Sequence, residues 1–212
     1  MRAGDTPRPA AVDFAQPAMD PTDLLRAFGF AAHKHSHQRR KDRAASPYVN
    51  HVIAVAQVLA VEGGVTDMSL LVAAVLHDTV EDTKTTFEEL EETFGRTVAD
   101  LVRELTDDKS LDKAERKRLQ IVHAASASDA AKQLKIADKI GNLRDIVARP
   151  PVGWPRQRKV KYLVWAAQVV DGCRGVNRRL DTAFDRALAA ARDHLAVPAR
   201  RPRRRKVGRG VR

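Results

Sequence analysis

The stretch Leu76-His77-Asp78-Thr79-Val80-Glu81-Asp82 sets one imidazole and three carboxylates directly behind a run of apolar side chains. The preceding residues, Leu70 to Leu76, are apolar on every side, which predicts a buried helix with Thr66 as its N-cap and Asp67 in its first turn. A bare charge at the edge of a core is costly unless it is paired or coordinates a cation. Four such groups in six positions therefore call for a shared partner, and a metal ion is the economical one. If the helix continues, His77 and Glu81 are i,i+4 neighbours, as are Asp78 and Asp82. The first doublet can then hold an ion while the next turn acts on water. Taken alone, a His-Asp pair at a helix end reads more simply as a cap with a surface carboxylate. Its force depends on partners elsewhere in the chain.

Two further positions supply them. His51 stands in the first turn of a predicted helix that carries Val52, Val55, Ala56, Val58 and Leu59, where an imidazole can point inward. In isolation it is a satisfied core histidine. From Leu134 to Asp145, Ile136, Ile140 and Leu143 form one stripe at about 100° per residue, with Asp138, Asn142 and Asp145 opposite. A solvated polar face satisfies that pattern, but Leu134 and Ala137 border the acidic side and favour a crevice around Asp138. His51, His77, Asp78 and Asp138 together offer two imidazoles and two carboxylates from three helices. That donor set suits manganese, iron or zinc with open positions for water, and does not choose among them.

The elements that position these groups are all helical, with no alternating strand pattern, glycine-rich phosphate loop or CxxC pair. Asp20-Pro21-Thr22-Asp23 marks a helix start, with an acid at the N-cap, proline at the first position and an acid at N3. His33, His35 and His37 follow at a spacing of two, which does not share one helical face. They are expected to be exposed, and the adjacent Arg40 and Lys41 are the better candidates for phosphate contact. Beyond Asp82, residues 86–90 and 98–105 read as two amphipathic helices separated near Gly95. Lys113, Arg116, Lys117 and Arg118 then make a basic stretch that is either a solvated face or a cover for an anionic substrate. Trp154, Tyr162 and Trp165 lie on a final pair of helices reaching Leu195, among Arg156, Arg158, Lys159 and Lys161.

Net charge is +11, but eight of the 38 bases and none of the 27 acids fall in residues 197–212, leaving 30 bases for residues 1–196, a net of +3. The basicity thus belongs to a tail, expected to be disordered and able to touch RNA or another polyanion through phosphates. The simpler role for it is solubility. Residues 1–19, rich in Ala and Pro, are likewise expected to be disordered, which leaves one domain over 20–196. No run approaches the roughly 18 apolar residues of a membrane span, no secretory signal opens the chain, and Cys173 is the only cysteine. A cytoplasmic protein with no membrane partner is expected, and no homo-oligomer is predicted.

In these features the chain resembles the HD-domain phosphohydrolases, and within them the RelA/SpoT-type alarmone hydrolases of the small stand-alone, Mesh type. The resembling blocks are Arg39-Arg40-Lys41-Asp42, Pro47-Tyr48-Val49-Asn50-His51, His77 to Thr83, Thr106-Asp107-Asp108-Lys109, Glu115 to Arg118, Ala137-Asp138-Lys139, Asn142 to Asp145, and Trp165 to Val170. They run in family order from about residue 24 to 190. The resemblance implies an all-α HD-domain helical bundle with a mononuclear metal site held by His51, His77, Asp78 and Asp138. Manganese is the usual ion, with zinc and iron as alternatives. It implies Glu81 and Asp82 as the acid/base pair, and Arg40, Lys41, Lys113, Asn142, Arg158 and Tyr162 around the nucleotide. The implied reaction removes the 3′-pyrophosphate of guanosine tetra- or pentaphosphate (ppGpp, pppGpp), giving GDP or GTP and pyrophosphate, without synthetase activity. Two alternatives are an HD phosphohydrolase acting on another nucleotide, such as the 2′-phosphate of NADPH, and a nucleic-acid-binding protein using the tail. The intact metal and acid/base sets count against the latter. Two positions depart from the family. Val52 stands where proline is common after the histidine, and Gly141 replaces a bulky residue, which costs the helix about 0.5–1 kcal/mol and reshapes the pocket wall.

Overall fold

The apolar run at 70–76 becomes the axis of the molecule. In the computed structural model, which describes residues 19–196, helix α3 (Met68–Leu76) buries every side chain from Leu70 to Leu76. At about 1.5–3 kcal/mol for each large aliphatic side chain withdrawn from water, this segment anchors the core. Helices α1 (Pro21–Lys34), α2 (Val49–Gln57), α6 (Arg96–Leu105) and α8 (Asp129–Ala148) pack around it. The expectations for the N-terminal segment before residue 19 and for the tail at 197–212 lie outside the described residues.

Local chemistry explains most boundaries. Asp20 caps α1 through the amide of Thr22 at 2.6 Å, and Asp23 returns the bond to the Asp20 amide at 3.1 Å, the capping box read from the sequence. The cap of α3 is Asp67, where the sequence points to Thr66. The extended backbone of Asp67 (φ −64°, ψ 110°) lets its carboxylate accept from Ser69 N at 2.9 Å and Leu70 N at 3.3 Å, so the helix begins one residue later. Helix α2 widens into a π turn at Val58–Glu62. Helix α5 (Phe87–Phe94) is divided from α6 by Gly95, whose φ of 83° suits glycine. Helix α7 (Lys113–Ala124) pairs with α9 (Arg156–Asp171), and α10 (Arg178–Ala196) lies along α8 and α9. Among the described residues there is no strand, only a single bridge between Arg39 and Pro47 that closes the loop joining α1 to α2. No helix there is long and apolar enough to cross a membrane.

The continuous helix through Asp82 that would stack His77 over Glu81 does not form. Helix α3 stops at Leu76, and a short α4 (Thr79–Asp82) restarts after a turn at His77 and Asp78. The sequence itself stops it. The His77 Nδ1–H donates to Ala74 O at 2.8 Å and the Thr79 hydroxyl to Leu76 O at 2.7 Å, so side chains take the carbonyls that a further turn would have used.

Candidate active site

That turn is where the four sequence-selected residues meet. Single ligand atoms of His51 on α2, His77 at the end of α3 and Asp138 on α8 all lie within 4.8 Å of one another. Asp78 joins them, its Oδ2 at 3.1 Å from His77 Nε2 and 3.7 Å from His51 Nε2, while Asp138 Oδ1 is 3.1 Å from His51 Nε2. Both imidazoles are buried.

The donor set fits a divalent cation. In the neutral ring, donation from Nδ1 of His77 to a backbone carbonyl leaves Nε2 as the lone-pair nitrogen, and that buried atom has no hydrogen-bond partner among the described residues. An orphaned acceptor facing two carboxylates is what a metal ligand looks like before its ion. Outer contacts fix the carboxylates as well. The Tyr48 hydroxyl donates to Asp78 Oδ2 at 2.6 Å, Lys139 to Asp138 Oδ2 at 2.7 Å and Asn142 Nδ2 to Asp138 Oδ1 at 2.6 Å. Burial alone would raise the Asp78 carboxyl, but positive charge at the His77 and His51 rings, present when they are protonated, more than offsets it and holds it far below the usual carboxylate range. For Asp138 the burial effect is likewise overcome, chiefly by Lys139. Both oxygens are thus kept anionic, as ligands must be.

Glu81 and Asp82 stand beside this cluster, outside the compact ligand group. Burial and the nearby carboxylates of Asp78 and Asp107 raise the Glu81 carboxyl above its ordinary value. Lys109 reaches Asp82 Oδ1 at 2.8 Å and Glu81 Oε1 at 3.9 Å, and Arg116 approaches Glu81 Oε1 at 3.7 Å. Gln38 donates to the other oxygen, Asp82 Oδ2, at 2.8 Å.

Two clefts adjoin these groups and share Asn142, Trp154 and Tyr162 in their walls. The first, of about 370 Å³, takes in Arg40, Lys41, Tyr48 and Asp82. The second, of about 620 Å³, is lined by six cations (Lys113, Arg116, Lys117, Lys139, Arg158, Lys161) against one carboxylate, Asp107, among the described residues. Lys113 and Lys117 both have lowered pKa values, from burial first and then from neighbouring cations including Arg158. Crowded, underpaired cations of this kind favour a polyanion. Burial keeps the Tyr162 phenol neutral and able to donate.

Six residues expected around a nucleotide thus sort unevenly. Lys113, Arg158 and Tyr162 line the cationic cleft, and Lys41 the first. Arg40 is already committed, with Nη2 at 2.6 Å from Asp145 Oδ2 and 3.1 Å from Asn142 Oδ1, and Asn142 is committed to Asp138. Gly141 faces the imidazole of His51 from α8, where an added Cβ would meet Val55 Cγ2 at 3.7 Å and His51 Cε1 at 3.8 Å, ordinary contact distances. Gly141 and His51 both line an open groove of about 390 Å³. Residue-by-residue reading passes over Tyr48 and Lys139. Tyr48 lies three residues before His51, a spacing that places both on one face and offers the signal.

An all-helical bundle closing on His51 of α2, the His77-Asp78 turn after α3 and Asp138 of α8 defines a metal-dependent hydrolase of the HD class. The HD domain family model matches residues 27–168, and the chain belongs to that family. It is 54% identical over 162 residues to guanosine-3′,5′-bis(diphosphate) 3′-pyrophosphohydrolase MESH1 of Xenopus tropicalis, covering 76% of this chain and 90% of that protein. The Homo sapiens protein of the same name is 54% identical over 161 residues, with the same coverage. A solved structure with 49% identity superposes with a TM-score of 0.78 over 82% of this chain and 97% of the other. It is described as a metazoan ortholog of SpoT that hydrolyzes ppGpp and plays a role in starvation responses.

Proposed function

We infer that this chain is a guanosine-3′,5′-bis(diphosphate) 3′-pyrophosphohydrolase, converting ppGpp to GDP and pppGpp to GTP with release of pyrophosphate. The observation that carries the reading is the adjacency of the His51, His77, Asp78 and Asp138 cluster to a cleft lined by six cations. A nucleotide phosphorylated at both 5′ and 3′ positions needs both features at once. The four clustered residues hold one divalent ion, taken here as manganese, which when bound supplies positive charge that polarises the phosphoryl group and acidifies water.

The chain's own groups do the rest. Lys113 and Arg158 hold phosphate oxygens of the nucleotide, neutralising charge that would repel an incoming nucleophile. Tyr162 and Trp154, at the junction of the clefts, offer faces for the base and ribose. Glu81, whose carboxyl pKa is raised by burial and by the carboxylates of Asp78 and Asp107, and Asp82 orient the attacking water and take its proton. Tyr48 and Lys139 hold Asp78 and Asp138 in register throughout.

Purified protein with manganese is to be incubated with ppGpp, pppGpp and NADPH and the products separated by anion exchange. GDP or GTP with pyrophosphate is the expected outcome. Orthophosphate from NADPH, with ppGpp left intact, would overturn the substrate assignment.

A further inference from the structure

His35 is expected at the surface with its neighbours, yet it is 2% exposed. Helix α1 ends at Lys34, and as the C-cap His35 leaves the helical phase and turns inward, while His33 and His37 stay exposed. Its Nδ1 lies 2.6 Å from Gln38 Oε1, and its Nε2 is buried without a partner among the described residues. The Gln38 amide then reaches Asp82 Oδ2 at 2.8 Å.

The chemistry of this chain leaves one assignment. An ionised carboxylate only accepts, so Gln38 must present its NH₂ to Asp82. Its carbonyl therefore faces His35, and a carbonyl can only accept, so the hydrogen of His35 must sit on Nδ1. The opposite amide orientation would set oxygen against oxygen at Asp82. With Nδ1 donating, Nε2 is left as a buried lone pair, less costly to orphan than a buried N–H. The other face of the same ring lies against Tyr48, with centroids 4.9 Å apart and planes tilted by 34°, and Tyr48 donates to Asp78.

Resting on the reading of Asp82 as half of the acid/base pair, we propose that His35 is a positioning residue whose Nδ1–H orients Gln38, which in turn holds Asp82. Lys109 secures the other Asp82 oxygen. The carboxylate plane is thereby fixed by one donor per oxygen, and only the Gln38 donor is itself locked from the core. The imidazole lines neither cleft.

His35→Phe keeps the ring against Tyr48 and removes the donor, His35→Asn restores an N–H near the position of Nδ1, and Gln38→Met cuts the next link from the surface side. Misplacing a catalytic group by about 1 Å costs up to about 100-fold, so His35→Phe and Gln38→Met are each expected to lower kcat by about 10–100-fold, with KM for ppGpp and manganese content unchanged. His35→Asn should recover most of the loss. The double variant His35→Phe/Gln38→Met should be no worse than the poorer single, because both break one chain. Long-range ¹H–¹⁵N correlation should show His35 protonated at Nδ1. Full turnover by Gln38→Met, losses that multiply in the double variant, or an Nε2–H tautomer would each overturn the proposal. Gln38→Met and the tautomer measurement decide it even if His35→Phe fails to fold. Asp82→Asn separates the two levels. If it retains turnover, the acid/base reading fails, whereas its collapse beside an unaffected Gln38→Met sinks only the role of His35.

Discussion

Replacing Glu81 by Gln and Asp82 by Asn together separates binding from chemistry. Neither carboxylate is in the group formed by His51, His77 and Asp138, and neither reaches its imidazoles as Asp78 does, so metal content should be unchanged. The amides preserve shape. The amide put in place of the Asp82 carboxylate still offers an oxygen to Lys109 while its NH₂ turns toward Gln38, and exposed contacts of this kind contribute at most about 1 kcal/mol, so folding should survive. What disappears is the capacity to take a proton from water. A general base contributes about 10²–10⁴-fold, which at 1.36 kcal/mol per tenfold raises the barrier by about 2.7–5.4 kcal/mol. Nucleotide affinity should hold if Lys113, Arg158 and Tyr162, which line the adjoining cleft, carry it. Elemental analysis, calorimetric titration of ppGpp and single-turnover release of pyrophosphate read the three quantities on one preparation. Near-normal release with metal retained would refute the role given to this pair, and loss of the ion would show that the two carboxylates help to ligate it.

Asp78→Ala should abolish both metal content and turnover, and full hydrolysis in the presence of a chelator would remove the metal site altogether. Gly141→Ala should stabilise the protein by about 0.5–1 kcal/mol, since α8 gains a better helix former and the new methyl meets its neighbours at no less than 3.7 Å. Thermal unfolding should rise by about 1–4 °C, and a fall would mean that the helix needs glycine there. Glu62→Gln tests a surface pair, since Arg144 holds the Glu62 carboxyl below its ordinary 4.5 through a two-point contact at 2.6 and 2.8 Å. A depressed folded pKa adds stability above the unfolded value that is lost as pH falls through the folded one. The variant should therefore be weaker by less than about 1 kcal/mol at pH 7 and equal to the parent in acid. A gap that persists in acid denaturant titrations would rule out the ion pair as its source.

What can be read in advance follows from local rules. The uniform apolarity of 70–76 dictates burial, Asp20 and Asp23 dictate a cap, and His51, His77, Asp78 and Asp138 attract attention because ionisable groups beside a core need a partner. The break at His77 is hidden because it depends on two side chains turning back onto carbonyls, a choice that helical periodicity does not encode. His35 escapes for a related reason. An alternating run of histidines looks like surface until the helix end that changes its phase is known. Contacts such as Lys109 with Asp82 and Arg40 with Asp145 join residues far apart in the chain, and only packing brings them together.

The short path from Arg40 through Asn142 to Asp138 carries a further consequence. Arg40 and Asn142 line the first cleft, Asn142 also borders the second, and its amide rests on a carboxylate of the ion-binding cluster. A nucleotide that draws Arg40 away from Asn142 would therefore act on the same group that orients Asp138. Linkage is reciprocal in binding free energy, so whatever factor the ion adds to nucleotide affinity, the nucleotide must add to ion affinity. Any such coupling is felt most when the ion is limiting, because nucleotide binding then changes how much of the protein carries the ion.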